Sequence, residues 1–381
     1  AFSKPYVAGA FAAHPDIAGD LVQLFEARFG PEADADAEAA LRASLLARLD
    51  AVASLDEDRI LRGFLGLIEA TVRTSAYLET GVLAFKLLSR LVPAVPEPKP
   101  LYEIFVFAPD VAGVHLRGGP VARGGIRWSI RREDYRTEVL GLMKAQMTKN
   151  VVIVPTGAKG GFVLRRVADP SAGPTPDEVK NAYRTFIQAL LDVTDNLDGG
   201  HVVHPAGVRV LDGDDPYFVV AADRGTATFS DTANDIAAER GFWLDDAFAS
   251  GGSSGYDHKA LGITARGAWE SVRRHFAELD VDVQADPITV VGVGDMSGDV
   301  FGNGMLLSRS IKLVAAFDHR HIFIDPDPDP ERSFVERERL AHLKRSSWDD
   351  YDRELFSPGG GVFPRSLKRI ELTEEMQAVL D

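Results

Sequence analysis

The sequence contains no cysteine among its 381 residues. A chain without thiols forms no disulfides, thiolate zinc sites or iron–sulfur clusters, and it has no cysteine nucleophile. Long apolar runs are also missing, since no run approaches the ~18 residues that a membrane-spanning helix needs. The N-terminus lacks the basic-then-apolar pattern of a signal peptide. We therefore expect a cytoplasmic protein with no membrane partner, and, because the chain does not begin with Met, a segment of a longer one.

Positive charge is scarce relative to negative charge. Lys and Arg number 42 against 57 Asp and Glu, which gives a formal net charge of −15 at pH 7. Such a chain repels polyanions, so we expect no nucleic-acid partner. The nine histidines show no ligand spacing near a carboxylate; His319 with His321 comes nearest, and we expect no metal. Hydrophobic residues at 45% and charged residues at 26% are typical of a globular protein.

The first ninety residues have the apolar periodicity of helices. Apolar positions recur at intervals of three and four in 17–29, 41–49 and 60–78. The segment 93–100 then contains four prolines and cannot continue a helix. We expect a helical leader over 1–92 and a proline-rich linker over 93–100.

After the linker, short β-branched or aromatic runs alternate with helical stretches. Strands are predicted at 104–107, 151–154, 218–221, 288–293 and 313–317, and helices at 133–148, 176–193, 232–240, 265–279 and 300–310. This alternation is typical of an α/β sheet with helices on both faces. We expect an α/β substrate and catalytic domain over 101–262. A partial Rossmann-like, doubly wound nucleotide domain is expected over 263–381, truncated at its C-terminus.

The predicted strand 288–293 leads into a run of spaced glycines, Gly292, Gly294 and Gly298, followed by a predicted helix. Glycines at this position permit a tight turn and let a pyrophosphate approach the backbone N–H groups of a helix start. The next strand ends at Asp318, where a carboxylate can accept from a ribose hydroxyl. The pattern indicates a dinucleotide site; the alternative is a glycine turn that only packs helix on strand. Basic residues after Asp318 leave NAD and NADP both open.

Glycine and basic residues also concentrate before that turn. Arg123 precedes two glycines, Gln146 and Lys149 lie three apart on one predicted helix face, and Lys159 lies between glycines after the predicted strand 151–154. A loop at that end of an α/β sheet is where such proteins bind ligands. The flanking residues do not fit a phosphate-binding loop, which requires Gly-Lys-Ser/Thr.

Lys159 has two interpretations. Among cationic neighbours such as Arg123 and Lys149 its pKa would fall, and it would act as a base or polarise a carbonyl. Alternatively, it is a solvated lysine on a surface loop. Asp223 directly follows another apolar strand, where it is a proton carrier beside Lys159 or an ion-pair partner of Arg224; its position favours the former. We expect Arg123, Lys149, Lys159 and Asp223 to line one cleft.

Several long motifs resemble one known family. They are Gly-Gly-Ile-Arg-Trp-Ser at 124–129, the block 132–150, Gly-Ala-Lys-Gly-Gly at 157–161, Asp-Asp-Pro-Tyr at 214–217, and the blocks 222–231 and 292–304. Over essentially the whole chain, the sequence is similar to the large bacterial NAD-specific glutamate dehydrogenases. Ile130 departs from the acid that this family often has there, but this removes no proposed ligand.

The resemblance implies a role for each candidate residue. Lys159 would be the catalytic lysine, and Asp223 the acid that exchanges protons with the substrate amine and water. Gln146 and Lys149 would hold the α-carboxylate, and Arg123 the side-chain carboxylate. The dinucleotide residues would be Gly292, Gly294 and Gly298 at the pyrophosphate and Asp318 at the ribose. The family uses NAD, which is therefore the expected cofactor.

The implied function is oxidative deamination of L-glutamate to 2-oxoglutarate and ammonium in amino-acid catabolism, by a parent protein that is a homo-oligomer. Because the family's chains are several times longer, we expect this segment alone to be a poor enzyme. The alternatives are a dehydrogenase for another amino acid, against which Arg123 argues, and a non-catalytic nucleotide-binding regulatory or assembly module. A scaffold with degenerate sites is a third, disfavoured by the presence of Lys149, Lys159 and Asp223.

Overall fold

The computed structural model describes residues 2–92, 95–149, 155–169, 171–255 and 260–380. The chain divides into two compact units, Ala1–Tyr256 and Asp257–Asp381. Within the described ranges, every helix is too short or too polar to cross a bilayer.

The first unit begins with a run of helices: α1 Lys4–Ala13, α2 Pro15–Phe29, α3 Ala35–Leu49 and α4 Leu55–Ala70. Side-chain oxygens of Asp34 and Ser54 accept from the free N–H groups at the starts of α3 and α4. Leu24, Leu45 and Leu61 are almost completely buried in one apolar cluster between these helices. The predicted helical character of 17–29 and 41–49 is confirmed.

The helix predicted over 60–78 is wrong beyond Ala70, and so the segment 1–92 is not helical throughout. Residues Thr71–Thr74 form strand β1, which pairs antiparallel with β2, Leu83–Leu88. The segment Thr-Val-Arg-Thr is rich in β-branched residues, which favour a strand. All four of its residues are buried, so tertiary packing overrides the apolar periodicity that continues from α4.

The first unit contains eight more strands, which are β3 Tyr102–Phe107, β4 Val111–Arg117, β5 Ala122–Arg123, β6 Gly125–Trp128, β7 Thr156–Leu164, β8 Asn196–Asp198, β9 His201–Val203 and β10 Ala221–Ala222. Strands β1 to β7 and β10 form an eight-stranded sheet in the order β1-β2-β3-β4-β7-β6-β10, with β5 also paired to β7. Strands β1 to β4 and β7 pair antiparallel, whereas β5 and β6 run parallel to β7 and β10 runs parallel to β6. Strands β8 and β9 form a separate hairpin.

Helices cover both faces of this sheet. Helix α5, Tyr135–Lys149, packs through Val139 and Met143 on Val114 and Leu116 of β4. Helix α6, Pro176–Leu191, packs on the opposite face with Phe162, and α7, Ser230–Glu239, joins the same core. This arrangement confirms the α/β class and the predicted helices at 133–148, 176–193 and 232–240. The strand predicted at 218–221 shifts to β10, Ala221–Ala222, after a single bridge between Val220 and Ala249.

The glycine segment 157–161, predicted as a loop, lies in the middle of strand β7. A Cβ at Gly157 would lie 2.7 Å from the backbone nitrogen of Met147, and one at Gly161 would lie 2.5 Å from Cγ2 of Val139. The glycines therefore let α5 lie directly on the strand. The strand predicted at 151–154 falls outside the described residues.

A buried charge network ties the sheet to the segment that follows α6. Arg73, Lys86 and Arg117 pair with Asp195, Asp212 and Asp215, and these side chains are at most 4% exposed. Burial alone would raise the pKa of the Asp215 carboxyl, but the charges of Arg117 and Lys86 hold it below its usual range. Three cations face three carboxylates, so each charge of this network has an opposite one.

We predict that Asp215→Ala strongly destabilises the first unit, because it leaves Lys86 and Arg117 buried with an excess of positive charge. The expected loss in the free energy of unfolding is about 3–5 kcal/mol. Asp214→Ala is the matched control, since the Asp214 side chain is 65% exposed. Urea denaturation of the two variants measures the difference, and equal stability would contradict the structural role of the network.

The second unit is smaller. It contains α8 Ile263–Ala277, β11 Ile288–Val293, α9 Asp299–Met305, β12 Ile311–Phe317, β13 His321–Ile324, α10 Pro330–His342, β14 Gly361–Pro364 and α11 Glu374–Leu380. Strands β11 and β12 run parallel with α9 between them in the chain, and β13 and β14 add antiparallel strands. The predicted strands at 288–293 and 313–317 are confirmed, as is the helix at 265–279, which begins and ends two residues earlier. The helix predicted at 300–310 ends at Met305, and a turn at 309–310 precedes β12.

Candidate functional site

The candidate site of the first unit lies on the face of the sheet that α5 covers. Lys159, in the centre of β7, forms an ion pair with Oδ2 of Asp223, and the two side chains are 12% and 17% exposed. Asp223 directly follows β10, as predicted from the sequence. Gly125 of β6 lies between them: a Cβ there would come within 3.3 Å of the Lys159 Nζ and 3.1 Å of the Asp223 Cβ. The missing side chain at position 125 therefore lets the pair meet across β6.

Arg127, two residues after Gly125, projects from the same face of β6. Its Nε donates to Asp223 Oδ2 at 3.1 Å, and its Nη2 donates to Oδ1 at 3.2 Å. Its Nη1 donates to Oε1 of Glu138 on α5 at 3.1 Å. The second carboxylate oxygen of Glu138 accepts from Ser129 Oγ at 2.6 Å. A continuous polar network thus runs from α5 through Arg127 and Asp223 to Lys159.

The network fixes the charge of Asp223. Burial by itself would raise the pKa of this carboxyl, but hydrogen bonds from Arg127 and Lys159 lower it to about 2. The backbone N–H of Arg224 adds a further donor at 2.7 Å. The hydrogen bond to Asp223 raises the pKa of Arg127. At neutral pH this site therefore combines an ionised carboxylate with two cations.

Two of the predicted carboxylate anchors, Arg123 and Gln146, adjoin the start of β7. Arg123 of β5 is exposed and pairs in register with Gly157 of β7. Gln146 of α5 lies against the same glycine, where a Cβ would come within 3.1 Å of its Cγ. Lys149 is the last residue of α5, and its side chain lies outside the described part of the chain. Arg123 and Gln146 thus both adjoin Gly157, two residues before Lys159 on the same face of the strand.

The glycine turn of the second unit follows β11 as predicted. Gly294 has a φ of +139°, which favours glycine, and Gly298 precedes α9. A Cβ at Gly292 or Gly294 would collide with the ring or Cβ of Phe301. The Gly294 carbonyl accepts from Trp348 Nε1 at 2.8 Å. Packing against Phe301 therefore accounts for the absence of side chains at these two positions without reference to a ligand.

Asp318 directly follows β12, where the sequence placed it. Its Oδ1 accepts from the backbone N–H groups of Arg320 and His321 at 2.6 and 2.7 Å. Its Oδ2 is buried and has no hydrogen-bond donor among the described residues. Asp295 of the glycine turn lies close enough that carboxylate oxygens of the two residues are within 4.8 Å of each other. This oxygen can accept a hydrogen bond from a hydroxyl group that reaches it, which is the contact that the predicted ribose role of Asp318 requires.

Arg127, Glu138 and Ser129 have no role predicted from the sequence, although all three lie within the motifs at 124–129 and 132–150. The two-residue period of a strand provides one signal for Arg127, because it puts this residue on the same face as Gly125. The contact with Glu138 has no comparable signal, since it depends on how α5 crosses the sheet.

Comparisons with known proteins match the whole chain. Residues 44–381 match the family described as bacterial NAD-glutamate dehydrogenase, catalytic domain, and residues 1–31 match the family described as glutamate dehydrogenase, helical motif 3. The chain is 58% identical to the NAD-specific glutamate dehydrogenase of Pseudomonas aeruginosa, with 100% of this chain and 24% of that protein covered. It is 56% identical to the Mycobacterium tuberculosis protein of the same name, with the same coverage. The chain thus spans about a quarter of the length of these relatives.

Solved structures resemble the chain more distantly. The crystal structure of a Plasmodium falciparum glutamate dehydrogenase is 15% identical in sequence, with a TM-score of 0.44. The alignment covers 94% of this chain and 63% of the Plasmodium falciparum chain.

We predict that Gly125→Ala destabilises the site, because the new Cβ would lie 2.9 Å from the Ala222 carbonyl oxygen and would press on both members of the ion pair. Forcing a methyl group into such a packed position costs about 1–3 kcal/mol of unfolding free energy. Gly141→Ala on α5 is the control, because nothing lies within 4 Å of its Cβ position. Chemical denaturation should show a lower unfolding free energy for Gly125→Ala than for the wild type, and no loss for Gly141→Ala.

We also predict a pH-dependent contribution from Asp223. Its pKa is about 2 in the folded chain against an ordinary value of 3.8, so its stabilising effect is complete above 3.8 and is lost as the pH falls toward 2. Asp223→Asn should therefore be less stable than the wild type at neutral pH, and the difference should shrink on acidification through that range. Unfolding free energies measured at several pH values check this, and a constant difference would contradict it.

Proposed function

The chain belongs to the bacterial NAD-glutamate dehydrogenase family, and from this premise we propose that the complete polypeptide oxidatively deaminates L-glutamate with NAD. The products are 2-oxoglutarate and ammonium. The observation that carries the proposal is the contact of Lys159 with Asp223, made on the same strand face on which Arg123 and Gln146 adjoin Gly157. We assign substrate binding and catalysis to 101–262 and cofactor binding to 263–381.

The substrate contacts follow from its two carboxylates, which require two separate polar anchors. We assign the side-chain carboxylate to Arg123, which is exposed on β5, and the α-carboxylate to Gln146 with Lys149 at the end of α5. Gly157 supports this assignment, since its lack of a side chain lets the end of α5 lie close to the part of β7 that pairs with β5. The substrate's Cα would then lie near Lys159.

The proton steps fall to Lys159 and Asp223. Asp223 is ionised at neutral pH and exchanges protons with the substrate amine and with water: it accepts a proton as a general base and returns one to the amine that departs. Lys159 donates a hydrogen bond to the oxygen that forms on Cα. When Lys159 turns toward that oxygen, Asp223 loses one of the donors that lower its pKa, and its affinity for a proton rises. The pKa of Asp223 thus rises when that oxygen forms, after the hydride has left Cα.

The cofactor contacts are assigned in the second unit. NAD, when bound, supplies the acceptor for the hydride that leaves Cα. We assign Gly292, Gly294 and Gly298 to its pyrophosphate and Asp318 to a ribose. The free Oδ2 of Asp318 supports the last assignment. The family relationship alone supports placing the complete protein in the cytoplasm as a homo-oligomer.

We predict that Lys159→Ala in the complete polypeptide lowers kcat/KM for glutamate by about 10²–10⁴-fold, the range expected for the loss of a proton-handling group. The measurement is glutamate-dependent formation of NADH. Lys180→Ala is the matched control, because Lys180 is exposed on α6. Equal rates for Lys159→Ala and the wild type would remove Lys159 from the mechanism and reject the proposed site.

A further inference from the structure

Arg127 connects three elements of the first unit. It lies on β6, forks onto both oxygens of Asp223 after β10, and reaches Glu138 on α5. The side chains of Arg127, Asp223 and Glu138 are 20%, 17% and 15% exposed, so solvent screens these contacts only partly. Such a geometry restrains the carboxylate in both position and rotation.

The two cations on Asp223 differ in what they can restrain. Lys159 is a single charge on a flexible stem, and its Nζ pairs with Oδ2. Arg127 presents a planar fork that matches the two carboxylate oxygens. When Lys159 turns toward a substrate, the fork and the backbone N–H of Arg224 keep Asp223 from rotating, and of the two only the fork contacts both oxygens.

Glu138 determines where that fork lies. One of its oxygens accepts from Arg127 and the other from Ser129 Oγ, so the carboxylate is held from two sides. Glu138 belongs to α5, the helix that also provides Gln146 and Lys149. The distance between the acid and the anchors on α5 is therefore tied to the contact between Glu138 and Arg127.

We propose that Arg127 is a positioning residue: supported by Glu138, it holds Asp223 in the orientation for proton transfer while Lys159 engages the substrate. This inference rests on the proposed function and adds to it a residue whose side chain need not touch the substrate. The orientation of Asp223 then depends on α5 as well as on the sheet.

The charged groups that face Asp223 determine whether its pKa rises or falls when Arg127 is replaced. Lys159 faces it from β7 and Arg127 from β6, while Arg224 donates through its backbone N–H. Glu138 of α5 lies on the far side of the Arg127 guanidinium. Without Arg127, Asp223 loses its forked partner and is left with a second carboxylate nearby, so it binds a proton more readily.

The first test is kinetic and uses the complete polypeptide. Arg127→Lys keeps the charge but removes the fork, so kcat for glutamate should fall by about 10- to 100-fold as Asp223 becomes misplaced. KM should stay near the wild-type value, because Arg123, Gln146 and Lys149 are unchanged. Glu138→Gln should also lower kcat, but by a smaller factor than Arg127→Lys. Arg131→Lys is the control, because Arg131 is 52% exposed and pairs with Asp134 at the surface.

A wild-type kcat in both Arg127→Lys and Glu138→Gln, or an effect confined to KM, would overturn the positioning role. Thermal unfolding of each variant shows whether a lost rate reflects a lost fold. If Arg127→Lys does not fold, Glu138→Gln decides, since it keeps the side-chain shape and the hydrogen bond to Ser129.

The second test needs no activity. The ¹³C resonance of the Asp223 carboxyl, assigned by its loss in Asp223→Asn, can be titrated in the 381-residue chain. In Arg127→Gln its midpoint should rise by about one pH unit or more, and an unchanged midpoint would overturn the inference. If the wild-type polypeptide does not reduce NAD with glutamate, the proposed function fails, and this titration alone decides whether Arg127 controls Asp223.

Discussion

Helix α5 lies directly on strand β7 because that strand carries glycine where the helix crosses it. Gly157 and Gly161 leave no side chain between the strand and the helix backbone, and Lys159 is the residue between them on the same face. Between these two glycines, Lys159 is therefore the one residue with a side chain on this face of the strand. Its ammonium group meets the Asp223 carboxylate across a further glycine, Gly125. The candidate site depends on this close approach of backbones.

Charge is distributed differently in two parts of the first unit. In the network of Arg73, Lys86 and Arg117, each cation is buried against carboxylates and each aspartate has a partner, so removal of any member is costly. Around Asp223 the charges are only partly buried, and the carboxylate is shared by two cations. A shared acid can exchange one partner for a ligand without becoming an isolated charge. The fully buried network therefore stabilises the fold, whereas the partly buried charges around Asp223 are suited to binding a ligand and transferring protons.

The glycine turn of the second unit shows that one pattern can satisfy two requirements. Phe301 packs where side chains at Gly292 and Gly294 would lie, so helix–strand packing explains those glycines by itself. The free oxygen of Asp318 has no such structural explanation among the described residues. A buried carboxylate oxygen without a donor costs free energy, and a sugar hydroxyl would remove that cost. The proposed dinucleotide contact therefore depends more on Asp318 than on the glycines.

The sequence by itself determined the α/β class, the positions of α5 and α6, and the placement of Asp223 and Asp318 directly after strands, because apolar periodicity and strand ends are local properties. Only the tertiary structure decided that 71–74 is a strand, that Lys159 lies within β7, and that Arg127 joins Glu138 to Asp223. Glycine has no side chain to reveal a two-residue period, so β7 resembled a loop. Ion-pair partners depend on the order of the strands in the sheet and on where α5 crosses it, because these bring together residues that are far apart in the chain.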